Sequence, residues 1–585
     1  MEQLFMDKIE KNILKNYKFW LAVISVIFYG FFAFFDGPHI SPDSETYINM
    51  DISREPVYPI FLAMVRSVSG EGYLMAVVIL QSLLAAYAAY KITVTFQEIF
   101  ELKYFLYVPI LLLQYAISML NRFIALRGAA YSNCIQTEGI SVSLWTLWVC
   151  CLIQIVCKKS RKNLMAAFGL ALLLMCTRKQ LLLTIPVLFV VLICVYCIPK
   201  WSWKRALWIV CAVIGLFLAQ NAVGKVYNYV LRGDFVGYTD SSNTFFTNMM
   251  FASDREDAQL IQDEELREVF LTLYDALDSQ KLNYKYAEDG LLNLESYYSD
   301  CYDEIGIRNT QPMLLEYAQS EGITDSVAKS MEADRIRTTI LKDVLKDNIP
   351  IMFQVYVGTC IKGFIQTIAK VHPLLNLYSA LAYLAYLIML VYLLVRKRLD
   401  KVVKIALLTG LLVCANVFVT ALVISSQTRY MIYNMALCYM VAYLMVLEVF
   451  ATLPEKLMQF VKFAMVGCFN FGLSYVIIVG ADLIGLGYQT GNVLAYIITV
   501  FSAYLINGHL VFKKQEGEER GFLKPLLKVY ASYLFTSLIL NAVLLQIQIE
   551  LLHIPVAIAP VINLFITTPI NFLLNKLWAF KGKSR

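Results

Sequence analysis

FWLAVISVIFYGFFAFF (Phe19–Phe35) runs directly into DGPHISPDSETYINMDISREPVYP (Asp36–Pro59). The first stretch carries no charged side chain and is long enough to enter a bilayer. The second crowds Asp36, Asp43, Glu45, Asp51, Arg54 and Glu55 against its end. Charges at a membrane boundary are costly unless they are paired, hydrated or used, so such a cluster reads as a functional site. It reads equally as a solvated loop, because loops at helix ends ordinarily carry charge. The choice between the two turns on whether other isolated charges return to the same face.

The contrast between apolar runs and short charged breaks continues along all 585 residues, of which 59% are hydrophobic, 14% aromatic and only 16% charged. That balance excludes an ordinary soluble globular protein and predicts an all-α polytopic membrane protein, with the lipid bilayer as its surroundings and no nucleic-acid partner. The formal charge of +6 conceals a segregation. Residues 232–347 hold 24 carboxylates against 11 Lys and Arg, a net −13, which leaves +19 on the rest. An acidic soluble insert therefore interrupts a basic, membrane-embedded frame. The 13 cysteines fall largely inside apolar runs, as at Cys150, Cys151, Cys194, Cys211, Cys414 and Cys438, and behave as small hydrophobes; no spacing suggests a metal site or a disulfide framework.

The Lys/Arg bias of short loops orients the chain. Lys8, Lys11, Lys15 and Lys18 place the N-terminus inside, before a retained first span rather than a cleaved signal. Residues 36–59 then lie outside. Spans near 73–90, 104–120 and 138–157 follow, the last ending at the basic Lys158–Asn163. Residues 164–199 hold two spans divided at Thr177–Gln180, which puts that turn outside. A span near 206–223 delivers the insert outside, and its charge pattern at helical spacing predicts a small helical extracytoplasmic domain. Parity then favours an interfacial or re-entrant helix at Ile349–Lys370, with Lys362 and Lys370 at the surface, so that Arg396–Lys401 returns inside. Spans near 374–395, 403–424 and 430–450 bring the count to about ten before Leu453 and Pro454.

With this topology the isolated charges gather on the outer side. Asp36, Asp43, Arg54, Arg122, Arg127, Glu138, Arg178, Lys179 and Arg429 all face outward. Two or three carboxylates beside several basic groups suit the handling of a phosphate at the bilayer surface. Arginine grips phosphate with a bidentate fork, and a carboxylate can act as general base towards a hydroxyl. Arg122 and Arg127 also fit plain snorkelling at a helix end, Glu138 fits helix capping, and Arg429 fits a topology signal. Arg178 and Lys179 interrupt a continuous apolar run, where function is the stronger reading.

The order PDSETY (Pro42–Tyr47), REPVYPIFL (Arg54–Leu62), TEG (Thr137–Gly139), LLLMCTRKQ (Leu172–Gln180), a large outer segment and a late QTRY (Gln427–Tyr430) resembles the GT-C class of polyprenyl-phosphate-sugar glycosyltransferases. The resemblance implies a GT-C-like helical transmembrane domain over 1–453, with the insert at 232–347. It implies Asp43 as catalytic base with Asp36 as second choice, Arg178 and Arg429 as phosphate-binding groups, and Arg54, Tyr58, Glu138 and Lys179 as further substrate-site residues. The implied reaction is an inverting transfer of the sugar, with basic side chains neutralising the phosphate and no metal or other cofactor expected.

From Glu455 the character changes. KFAMVGCFNFGLSYVIIV and AYLINGHLVFKK are repeated as KVYASYLFTSLILNAVLL and PINFLLNKLWAFKGK, with Asn507, Phe512 and Lys513 matching Asn575, Phe580 and Lys581 at a constant offset of 68. Each unit is a helical hairpin returning to the side it left, so the repeats are parallel. Lys462, Lys513, Lys514, Lys528, Lys581 and Lys583 put the hairpin ends and the C-terminus inside. Asn507 and Asn575 read as packing or polar-passage positions, or as near-neutral caps. Residues 455–585 closely resemble the GtrA-like family, four-span proteins associated with moving polyprenyl-phosphate-linked sugars.

Both resemblances imply the same substrate. The expectation is a multi-pass cell-membrane glycosyltransferase that takes a sugar from a polyprenyl-phosphate carrier, expected to be undecaprenyl phosphate. It would transfer the sugar to a cell-envelope glycan on the outer face, with the GtrA-like module flipping or presenting the donor. The alternative is a non-catalytic flippase or transporter of lipid-linked sugars or glycan, and a third option is a polysaccharide polymerase.

Overall fold

In hydrocarbon an unpaired backbone amide finds no water, so long apolar runs close their hydrogen bonds within helices. Among the described residues the computed structural model is mainly helical, with a two-residue antiparallel pairing of Glu518–Glu519 with Lys583–Ser584 and an isolated bridge between His39 and Cys134. It describes residues 16–585 except 126–127, 200, 238–241, 397–398, 484–485, 487, 513–517, 520, 553–558, 582 and 585. The lysines before Asn16, Lys200, Arg127, Lys397, Arg398, Lys513 and Lys514 thus lie outside the described residues. Among the described residues 12 helical stretches are long and apolar enough to cross a membrane. The chain divides into two compact units, Met1–Leu447 and Glu448–Arg585.

The first unit begins with the helix Tyr17–Asp36, the short helix Ser44–Ile48, and Val57–Ser69, which leads through one 3₁₀ turn into Tyr73–Phe100. The second span is therefore longer than the expected 73–90, and residues 57–69 are helix. Tyr104–Ile124, Glu138–Lys158, Arg161–Met175, Thr184–Leu192 and Trp203–Arg232 follow. Glu138–Lys158 is the most enclosed of the apolar helices, 72% buried, and its sequence is apolar on every side, as a helix surrounded by others requires. Two polar contacts lock it to the helix Thr428–Thr452: Ser141 Oγ lies 2.8 Å from the Tyr433 hydroxyl, and the Trp145 indole donates to Asn434 Oδ1 at 3.2 Å. These contacts bring Glu138 and Arg429, the first turns of two distant helices, to the same end of the unit.

The acidic insert is helical, as its spacing predicts. Asn243–Ala252, Glu264–Ser279, Leu291–Asp303 and Gln311–Ser320 pack on the start of Ser326–Ile368 around Phe246, Phe251, Phe270, Leu273, Ile305 and Ile340. Asp263 and Asp325 cap their helices by accepting backbone N–H bonds, which explains where two of the many carboxylates are placed. Cys301 is buried in this core and burial pushes its thiol up to about 11, so it is a poor probe of sidedness.

The segment Ile349–Lys370 differs from expectation. It is no separate surface helix but the second half of a continuous 43-residue helix, Ser326–Ile368, about 65 Å long at 1.5 Å per residue, which carries Pro350 in its interior. Lys362 does not lie at a lipid surface; it forms a 2.5 Å ion pair with Glu295 of the insert, whose side chain is fully buried. One turn earlier, Gly358 faces the same helix so closely that an added Cβ would lie 2.7 Å from that of Glu295. Beyond this point the helix leaves the insert: Gln366 donates to the Ser426 carbonyl, and the Tyr439 hydroxyl donates to the Ile368 carbonyl at 2.9 Å.

In the second unit the sequence repeat is a structural one. The described helices include Glu455–Leu483, Tyr488–Ile506, Leu523–Leu534 and Ala559–Leu574. A five-residue π segment opens at Asn507 and its counterpart opens at Asn575. Phe512 N–H donates to the Asn507 carbonyl at 2.7 Å and Phe580 N–H to the Asn575 carbonyl at 2.8 Å. Both asparagine side chains are buried, and the two following phenylalanines stack with centroids 5.0 Å apart. The repeated positions therefore meet face to face in the core of the unit.

Candidate active site

The segment after the first helix is held by backbone pairing. His39 N–H donates to the Asn133 carbonyl and Ile135 N–H to the His39 carbonyl, each at 2.9 Å, and Gln136 donates to Ser41 Oγ. This seam carries Asp43, the residue before the short helix Ser44–Ile48, to the mouth of a cavity of about 840 Å³. The walls come from the first loop, the start of Glu138–Lys158, the turn Thr177–Lys179, the start of Thr428–Thr452, and Asn243, Thr244, Tyr302 and Asp303 of the insert. The insert thus closes one side of the cavity.

Asp43 bridges two arginines. Its Oδ1 accepts from Arg54 at 3.0 Å and its Oδ2 from Arg429 at 3.2 Å. Burial pushes the carboxyl up, but the two guanidinium groups outweigh it and hold Asp43 below its ordinary value. Arg54 is fixed in turn by Thr46 Oγ1 at 2.8 Å and lies over the Tyr47 ring at 4.6 Å. The second pair is deeper: Arg178 Nη1 donates to Glu138 Oε1 at 2.5 Å, with Glu138 2% exposed and Arg178 17%. Arg178 stacks over Tyr430 at 4.6 Å, and Arg429 lies over the same ring at 4.9 Å while donating to the Tyr430 hydroxyl at 2.7 Å. Arg429 Nε is buried without a hydrogen-bond partner. Lys179 also lines the cavity.

Asp43, Arg54, Glu138, Arg178, Lys179 and Arg429 are therefore gathered around one space. Two other expected residues are not. Asp36 accepts from Arg122 and from the Ala130 amide at 3.0 Å, away from the cavity lining, and ties the end of the first helix to the segment before Glu138. Tyr58 is fully buried and donates to Gln81 Oε1 at 3.0 Å, a packing role behind the site. Among the described residues no three His, Cys, Asp or Glu are grouped to hold a metal ion.

The sequence does not single out Glu55. It lines the cavity, is 6% exposed, and burial raises its carboxyl to about 7 against the pull of Lys179 and the Gln220 amide. Its sequence signal, one more acid in a charged loop, did not set it apart from Glu45 or Asp51.

Comparison with known families bears on the second unit. Residues 462–580 match the GtrA/DPMS transmembrane domain. The match covers both repeats of this GtrA-like domain, including Asn507 and Asn575, and supports a membrane protein that handles lipid-linked sugars. No curated protein and no solved structure matches the chain.

Proposed function

We propose that the chain is a glycosyltransferase of the cell membrane, with its cavity on the outer face, which moves a sugar from a polyprenyl-phosphate carrier to a cell-envelope glycan. One observation carries this reading: two arginine–carboxylate assemblies and a lysine line one cavity in the same chain as a GtrA-like domain. Arginines positioned around a cavity can stabilise the phosphate that leaves as the glycosidic bond breaks.

In this mechanism Asp43 removes the proton of the acceptor hydroxyl as that oxygen attacks the anomeric carbon from the side opposite the phosphate. The bond to the phosphate oxygen breaks with inversion. Arg178 and Arg429 receive the charge that develops on the leaving phosphate. Arg429 links donor to base. While it is paired with Asp43 the carboxylate is a weak base, and turning its guanidinium towards an incoming phosphate frees one oxygen of Asp43 and raises its proton affinity. Donor binding would thus activate the base.

The test is a transfer assay on the purified chain with a panel of polyprenyl-phosphate sugars. Release of polyprenyl phosphate with glycan labelling is expected. Passage of lipid-linked sugar across vesicle bilayers without any release would favour the flippase reading instead.

Two further results follow. Ser279, exposed at the end of an insert helix, replaces Cys301 as a probe: Ser279→Cys should react with an impermeant maleimide in intact cells. Labelling only after permeabilisation would reverse the orientation. A chain truncated near Pro454 should keep transfer in detergent when donor is supplied, and lose it in cells without another flippase. Loss of transfer in detergent by a folded truncate would make the two units one inseparable machine.

A further inference from the structure

Three carboxylates of the half-buried or buried class line the cavity, and two of them are committed to arginines. Asp43 holds Arg54 and Arg429, and Glu138 holds Arg178. Glu55 is 94% removed from solvent by its 6% exposure, yet its Oε1 has no hydrogen-bond partner. Its position is imposed from behind: Val57 N–H donates to the Cys176 carbonyl at 3.0 Å, docking the loop beside Thr177 and Lys179. A buried acceptor left unsatisfied is a standing cost to the fold, and such costs gather where a ligand later removes them.

We propose that Glu55 recognises the glycosyl group itself, its free Oε1 accepting a hydrogen bond from a ring hydroxyl of a neutral sugar held in the cavity. This rests on the reading above that a glycosyl ligand enters here. The arginines suit phosphate, which offers only acceptors to them. A sugar hydroxyl is the complementary donor for the remaining carboxyl. Uronic acids would set a second carboxylate against Glu55 and are selected against. The hydroxyl can belong to the donor sugar or to the acceptor glycan, and both present the same chemistry to Oε1. Lys179 and the Gln220 amide act on the same carboxyl, and burial outweighs them, so Oε1 is the atom left for a ligand.

The experiment compares wild type, Glu55→Leu and Glu55→Gln as full-length chains in detergent. Binding is measured for short-chain polyprenyl phosphates bearing glucose, galactose, mannose or N-acetylglucosamine, and for the bare polyprenyl phosphate, alongside the KM for the acceptor glycan. Glu55→Leu should weaken binding of the sugar-bearing lipid that wild type prefers by about tenfold to a hundredfold, the range for a hydrogen bond to a charged group. The bare phosphate should bind as to wild type, and Glu55→Gln should lie between. An increase confined to the acceptor KM would assign the hydroxyl to the acceptor and also support the proposal. Unchanged donor affinity together with unchanged acceptor KM would overturn it, as would an equal loss for the bare phosphate. If Glu55→Leu does not fold, Glu55→Gln carries the same comparison. A wild type that binds no glycosyl phosphate would sink the transferase reading and this proposal together, an outcome separable from a failure at Glu55 alone.

Discussion

Asp43→Asn is expected to lower turnover by about 10² to 10⁴, the usual worth of general-base catalysis, while donor affinity stays close to wild type. The amide preserves the shape of the side chain and can still accept from one arginine, but it cannot take the proton of an attacking hydroxyl. The expected loss is in kcat because the missing interaction forms only as the proton moves. Asp36→Asn is the control. Its partners are Arg122 and the Ala130 amide, so it should weaken the packing of the first helix and leave turnover per folded molecule near wild type. A greater loss at Asp36 than at Asp43 would reverse the assignment within the same mechanism. Mild effects at both would count against catalysis altogether.

The second large effect lies at the buried pair Glu138–Arg178. Glu138→Leu should destabilise the chain by about 3–5 kcal/mol, since it leaves a guanidinium largely buried with no carboxylate beside it. The double variant Glu138→Leu with Arg178→Met should regain much of that stability, because removing both charges together avoids an orphaned ion. It should not regain transfer, because the proposed phosphate ligand is gone. Thermal unfolding in detergent and the transfer assay read the two quantities separately. Recovery of activity in the double variant would show that Arg178 only neutralises Glu138.

Much of the architecture was legible because the bilayer imposes simple rules. A span must be apolar for about 20 residues, so hydropathy places helices such as Glu138–Lys158 and Pro373–Val395 to within a residue or two. The acidic insert stands out because only a water-exposed domain tolerates so many carboxylates. The offset of 68 between Asn507 and Asn575 is visible because a duplicated packing problem is met by duplicated residues, and the paired π segments and stacked phenylalanines are its structural form. The gathering of Asp43, Glu138, Arg178, Lys179 and Arg429 was also within reach, since isolated charges beside lipid are costly enough that few are carried without purpose.

Only the tertiary structure decided which charge answers which. Asp36 and Asp43 lie seven residues apart in one polar loop, yet one is consumed by Arg122 and the other stands between Arg54 and Arg429, a partner 386 residues away. Hydropathy cannot distinguish them, because pairing depends on the order in which helices pack and on backbone seams such as His39 with Asn133 and Ile135. Tyr58 looks like a site residue but turns inward to Gln81, and the separate helix expected at Ile349–Lys370 is the second half of Ser326–Ile368. Glu55 is buried while its acidic neighbours Glu45 and Asp51 are exposed, and the Val57–Cys176 contact lies two residues after it. Composition and periodicity set which segments are helices and which charges are expensive; long-range packing determined which of those charges remain available to a ligand.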